Sequence, residues 1–173
     1  NLCKSSFDFK SSEPYLLFDD SWHVCLSSEP VKNSFTNRCE KKNTIITGPN
    51  AAGKSTFIKS VLVNVILSQT ITFCASTRSV ITPLEYIGSQ INIPDCTGKE
   101  SLFEAEMYRC KENIDYIKSN PNKLCILFME EIFNSTNVVE GISGAYAILS
   151  HIAECNNALI FVTTHFPYLT KLH

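Results

Sequence analysis

Positions 44–67 read TIITGPNAAGKSTFIKSVLVNVIL, and no other stretch limits the possible folds as tightly. Thr44–Thr47 is a short β-branched run with strand propensity, broken at Gly48. From Gly53 to about Leu67 the residues Phe57, Ile58, Val61, Leu62, Val65 and Ile66 make a helix apolar nearly all round. Lys59 is its only charge after Lys54, so the helix is expected to be buried. Between strand and helix, Gly48, Pro49, Asn50, Ala51, Ala52, Gly53, Lys54 and Ser55 fit the pattern GxxxxGK[ST]. Each position has a physical task. The glycines let successive N–H groups turn inward as an anion nest, and the following helix aims its N-terminus at the same point. Lys54 supplies a mobile positive charge for β- and γ-phosphates, and the Ser55 hydroxyl is a ligand for Mg²⁺. The spacing predicts a P-loop.

The rest of the chain supplies more strands and helices in alternation. Ser101–Ser119 is amphipathic: Phe103, Met107, Cys110, Ile114 and Ile117 recur at steps of four and three. Ser101 and Glu104 form an S-x-x-E capping box at its start, and Asn120-Pro121 ends it. Leu124–Met129 is continuously apolar, as in a parallel strand covered on both faces. Asn137 and Glu140 are placed to cap a further helix with Ile142, Ala145, Ile148, Leu149 and Ile152 on its apolar positions. Ala158–Val162 is another buried strand. This order predicts an α/β fold with a mostly parallel sheet flanked by helices, its ligand at the carboxyl ends of the strands. Residues 1–43 are mixed, with an apolar run at Tyr15–Phe18; they read as the N-terminal, partly β, portion of a domain whose core is 44–173.

Two of those strand ends carry chemistry. Leu124–Met129 runs into Glu130 and Glu131. With the loop at 48–55 upstream, Glu130 is assigned to Mg²⁺ and Glu131 to general-base activation of water; the plainer alternative is a solvated acidic turn. Glutamate at 130, where aspartate is usual, adds one methylene, about 1.5 Å. His165, after Thr163 and Thr164, is assigned to the γ-phosphate, against the reading of a capping or core histidine.

Composition narrows the classes. A chain of 173 residues with 44% apolar content and net charge −2 describes one globular domain. No apolar stretch approaches the roughly 18–20 residues of a membrane span. Asn1–Lys10 lacks the charged start and apolar run of a secretory signal. The densest basic cluster, Arg38, Lys41 and Lys42, is split by Glu40, so the basic stripe of a duplex-binding surface is missing. The eight cysteines are scattered without a CxxC pair, which favours a reducing intracellular compartment over a disulfide framework. A chain that opens without methionine and closes inside an element reads as a piece of a longer protein.

Taken in order, the motifs resemble the C-terminal ABC-type ATPase domain of the MutS mismatch-repair family. ITGPNAAGKST is similar to that family's Walker A sequence, with Pro49 and Asn50 more telling than the general pattern. KESLFEAEM (99–107) resembles its STF-x-x-EM helix start, CILFMEEIFNSTN (125–137) its Walker B segment, and TTHFPYLTKL (163–172) its ATH-x-x-x-L stretch. WHVCL (22–26) with EPVKNSF (29–35), and QTITFCAST (69–77), resemble the segments before and after the loop and first helix. The resemblance implies ATP as ligand, held by Asn50 and the backbone of 51–56, Thr56 included. It implies Ser101 acting in trans on the ATP site of a second MutS-like ATPase subunit, beyond its plain role as a cap. It also implies DNA bound through other domains of the parent protein. Departures are Glu130 for aspartate, Ala51-Ala52 for Met-Gly, and Phe133-Asn134-Ser135-Thr136-Asn137 for a GRGTS-like loop. Two alternatives stand beside an ATPase: a nucleotide-binding structural subunit with little hydrolysis, and an ABC-type ATPase of another family, whose LSGGQ signature is absent here.

Overall fold

The computed structural model describes residues 2–26, 29–37, 43–91 and 101–171. Along the chain, strands β1 (Cys3–Lys4), β2 (Ser6–Phe7), β3 (Leu16–Ser21), β4 (Asn33–Asn37) and β5 (Asn43–Thr47) precede helix α1 (Lys54–Ile71). Strands β6 (Phe73–Cys74), β7 (Arg78–Ile81) and β8 (Tyr86–Gln90) follow, then α2 (Leu102–Ser119), β9 (Cys125–Glu130), α3 (Val138–Ala153), β10 (Ala158–Thr164) and a 3-10 turn (Pro167–Lys171).

The near-continuous apolar runs of β9 and β10 have a direct cause: both faces of their sheet are covered. Ile126, Phe128, Leu159 and Phe161 point to one side and pack with Ile58, Val61 and Val65 of α1 and with Leu16 and Phe18 of β3. Cys125, Leu127, Met129, Ile160 and Val162 point to the other, against Cys110, Ile114 and Ile117 of α2 and Ala145, Leu149 and Ile152 of α3. Period-two alternation divides one strand between two cores. The sheet order is β5-β10-β9-β8, every pair parallel. The molecule is thus mixed α/β, with a parallel sheet flanked by helices.

The first strands join a second layer. Its order is β2-β7-β3-β4, with β3 antiparallel to both β4 and β7, while β1 pairs antiparallel with β6. Strand β7 lies beyond α1 in the chain, so residues before and after the helix build one sheet. The mostly parallel expectation therefore holds for the core sheet and not for this layer.

Helix α1 runs one turn further than Leu67 and is not buried all round. Ile66 is 41% and Ile71 54% exposed, whereas Ser60, Asn64 and Ser68 are buried. The inward polar side chains satisfy the neighbouring segments: Asn64 Oδ1 accepts from Ala75 N at 2.8 Å, and its Nδ2 donates to Trp22 O at 3.1 Å. Ser68 Oγ accepts from Ser5 Oγ at 2.7 Å. A buried polar group with its partners in place costs little, and irregular backbone beside the helix needs those partners. The stripe on α2 is corrected in the same way. Met107 is 37% exposed, and Glu106, one residue earlier, takes the inward place. No helix among the described residues is long and apolar enough to cross a membrane.

Candidate functional site

Parallel register brings three strand ends into line. Thr47 of β5 lies opposite Thr164 of β10, and Thr163 lies opposite Glu130 of β9. The segments that follow, 48–53, 165–166 and 131–137, therefore emerge side by side. Helix α1 leaves β5 toward one face of the sheet and α3 leaves β9 toward the other, with β10 between. A crevice at the carboxyl ends opens where connections diverge in this way.

On the first edge, residues 49–53 are exposed while Lys54 is buried. The loop turns through Ala51 at φ 61° and Gly53 at φ 91°; glycine at 53 takes that left-handed conformation without a Cβ penalty. Ala52 N donates to Pro49 O at 3.3 Å, and Lys54 Nζ donates to Gly48 O at 3.0 Å and Pro49 O at 3.1 Å. Helix α1 then starts with no side-chain cap and no acid in its first turn. The other two helices differ: α2 has the full Ser101–Glu104 capping box, and Asn137 accepts from Glu140 N at the start of α3. The first N–H groups of a helix have no intrahelical partner, so α1 presents donors and a positive dipole end to whatever lies before it.

On the other edge the acids divide. Glu131 N donates to Thr163 O at 2.9 Å and Thr163 Oγ1 at 3.2 Å. The Glu131 Oε1 atom lies 2.5 Å from His165 Nε2 and 3.9 Å from Lys54 Nζ, and Asn134 Nδ2 donates to Oε2 at 3.1 Å. Lys54, Glu131 and His165, far apart in sequence, thus meet at one point. Glu130 turns elsewhere: its Oε2 is 3.5 Å from Lys59 Nζ and, buried, has no hydrogen-bond partner among the described residues. The Lys59 ammonium is thus the one charge beside this oxygen among the described contacts, and Ser55, half-buried at the helix start, is a further oxygen donor at the same strand ends. Among the described residues no cluster of three His, Cys, Asp or Glu forms a self-sufficient metal cage.

Ser101 stands apart from this group. Its hydroxyl accepts from Glu104 N at 3.3 Å and donates to Glu104 Oε2 at 3.0 Å, while its backbone N donates to the same oxygen at 2.8 Å. Ser101 is exposed, and these bonds stay within its own cap. Residues 99–100, at the start of the segment compared with the helix motif, lie outside the described residues, as do Arg38, Lys41 and Lys42.

Sequence reasoning missed four contributors: Thr163 and Asn134 beside Glu131, Lys59 beside Glu130, and Glu106. Glu106, only 6% exposed, accepts from Phe133 N at 3.1 Å and Ser135 Oγ at 3.3 Å. Burial pushes its carboxyl above the ordinary carboxylate value, and those two bonds offset part of the rise. A signal for it existed. An acid three residues after Phe103 and four before Cys110 falls on the apolar stripe itself.

Known proteins bear on this arrangement. The family described as MutS domain V matches residues 44–173. The DNA mismatch repair protein MSH2 of Zea mays is 32% identical over 168 residues, covering 94% of this chain and 17% of that protein. The DNA mismatch repair protein MutS of Finegoldia magna is 35% identical over 129 residues, 74% of this chain and 15% of that protein. MSH3 of Saccharomyces cerevisiae is 32% identical over 133 residues, 76% of this chain and 13% of that one. The chain thus spans about one sixth of the length of the curated relatives it matches. A family match running from the first strand of the parallel sheet past its last, through all three strand ends, leads to one conclusion: this chain belongs to the MutS family of DNA mismatch repair proteins.

Proposed function

We propose that the chain is an ATP-binding and hydrolysing domain of P-loop, ABC-ATPase-like type within a MutS-like protein. The observation that carries this reading is the start of α1. It is the one long helix among the described residues without a side-chain cap, and it follows a GxxxxGK[ST] loop whose lysine lies within 3.9 Å of a strand-end carboxylate. Uncapped N–H groups, a helix dipole and an ammonium together favour a polyanion.

In this reading Gly48, Pro49, Asn50, Ala51, Ala52, Gly53, Lys54, Ser55 and Thr56 hold the triphosphate. Ser55 and Glu130 would hold Mg²⁺, which would supply charge neutralisation for the triphosphate. Lys54 draws charge from the γ-phosphoryl group. Water forms the new bond to γ-phosphorus, the bridge to the β-phosphate breaks, and the proton passes to Glu131. Each Glu131 oxygen has a second lone pair beyond the one it uses here, and the bonds its amide donates to Thr163 fix the backbone that carries it. The 2.5 Å contact between His165 and Glu131 favours a second assignment of the proton, in which the pair acts together and the imidazole faces the γ-phosphate. The longer Glu130 side chain favours binding with slow turnover, the feature of a nucleotide-binding subunit.

Ser101 is assigned to the ATP site of a second subunit, giving composite sites in a dimer. DNA is assigned to parts of the longer protein, and the compartment to a reducing intracellular one, in keeping with six free cysteines among the described residues.

Equilibrium binding of a triphosphate analogue with Mg²⁺, together with multiple-turnover phosphate release, tests this on the full-length protein. Lys54→Ala should weaken binding at least about 100-fold, and retained affinity would refute the loop assignment. Glu131→Gln should keep affinity and lower turnover about 10²- to 10⁴-fold. Unchanged turnover removes Glu131 as the base, and an effect matched by His165→Ala supports the pair.

A further inference from the structure

We propose that Glu106 is a positioning residue for the proposed hydrolysis, a buried carboxylate that locks the loop carrying Glu131 to helix α2. This rests on the ATPase reading above and deepens it.

The loop after β9 needs such a lock. Glu131 sits at φ 51° and Phe133 at φ 62°, two side-chain-bearing residues in the left-handed region within three positions. Conformations of this kind persist only where the surroundings over-determine them. Three supports are present. Thr163 of β10 holds the Glu131 amide through its carbonyl and hydroxyl oxygens. From α3, a Cβ on Gly141 would stand 2.7 Å from Phe133 O, so only glycine lets helix and loop approach this closely. From α2, a single oxygen of Glu106 accepts both the Phe133 amide and the Ser135 hydroxyl. The Phe103 ring, also on α2, lies 5.3 Å from that of Phe133, so apolar packing and a charged acceptor act at the same point.

The placement of Glu106 gives it meaning beyond packing. It lies five residues into the helix that Ser101 caps, about 7.5 Å along the axis at 1.5 Å per residue. Helix α2 therefore has an exposed N-terminal end at Ser101 and, just over one turn further on, a fixed attachment to the loop of Glu131. A displacement of that end moves the attachment, and with it the carboxylate beside Lys54 and His165.

A glutamine at 106 retains a carbonyl oxygen able to accept both bonds; an alanine retains none. The test uses Glu106→Ala and Glu106→Gln in the full-length protein, with three readouts: Mg²⁺–triphosphate affinity, multiple-turnover kcat, and amide hydrogen exchange over residues 131–137. Alanine is expected to lower kcat by about 10²-fold, the cost of misplacing a catalytic group by about 1 Å. It should leave affinity within about twofold and speed exchange at Phe133. Glutamine is expected to restore kcat and exchange protection together. The inference is overturned if alanine leaves kcat and exchange unchanged, or if affinity and kcat fall in parallel, as for a general loss of folding. A wild-type protein that binds nucleotide without turnover removes the hydrolytic reading by itself. Exchange at residue 133 then decides separately whether the lock exists.

Discussion

Two loops leave the carboxyl ends of β5 and β9, separated in the sheet by the single strand β10, and they are held by different means. The loop at 48–53 and the loop at 131–137 each pass through two left-handed residues: Ala51 and Gly53 in one, Glu131 and Phe133 in the other. In the first, hydrogen bonds run locally, from Ala52 to Pro49 and from Lys54 to Gly48 and Pro49, and the contact with a distant segment is the ion pair of Lys54 with Glu131. In the second, the partners come from across the chain: Thr163, Glu106 and the close face of Gly141. Left-handed backbone costs a non-glycine residue roughly 1–2 kcal/mol. The first loop lowers that cost with glycine and stays exposed. The second offsets it with tertiary contacts and buries Phe133 completely. The first is left open to solvent, while the second fixes the backbone that carries the Glu131 carboxylate.

The largest effect that tests this contrast is the loss of the buried ring. Phe133→Ala should cost about 3–5 kcal/mol in denaturant unfolding. A loss under about 1 kcal/mol would mean the second loop does not depend on its tertiary supports. Gly53→Ala should cost less, about 1–2 kcal/mol, since a Cβ there meets nothing within 4 Å and only the φ of 91° is penalised. Its main effect should be on nucleotide affinity, with a fall of at least about tenfold, because the amides on either side must shift. A stability loss matching that of Phe133→Ala would break the comparison from the other side.

The smallest effect concerns pH. The folded protein holds the Glu106 proton more tightly than the unfolded chain does, because burial raises that carboxyl above its ordinary value. Its contribution is therefore most favourable below the ordinary carboxylate range and declines as pH rises through the window up to the raised value. Glu106→Gln removes this slope. The stability of the variant relative to wild type should climb through that window and level off above it. A difference that stays flat from acid to neutral pH would show that the carboxyl carries no net burial cost.

Much of the fold was legible because period and punctuation are local. The capping box at Ser101 and Glu104 formed as the spacing predicts, with both reciprocal bonds present. The strands at 44–47, 124–129 and 158–162 appear within two residues at either end. Asn137 caps α3 through Glu140 N, but the Glu140 carboxylate turns to the Thr136 hydroxyl at 2.9 Å instead of closing a second box. The polar inward face of α1 was not legible. Ser60, Asn64 and Ser68 look like weak breaks in an apolar helix until Ala75, Trp22 and Ser5 are seen to need hydrogen-bond partners.

The candidate site divides along the same line. The loop at 48–55, its flanking strand and helix, and the pair of acids at 130–131 were all read from consecutive residues. The direct pairing of Glu131 with Lys54 and His165, the turning of Glu130 toward Lys59, and the burial of Glu106 were not.

What the chain's order of residues determined alone was each local preference: where strands and helices start, which turns require glycine, which helix carries a capping box, and which family it joins. What only the tertiary structure decided was which of two adjacent carboxylates faces the lysine, and which acid on α2 goes inward. The physical reason is that backbone dihedrals and caps are fixed by neighbours a few residues away. The direction of a charged side chain depends on the burial, charges and hydrogen-bond partners that distant strands bring to it.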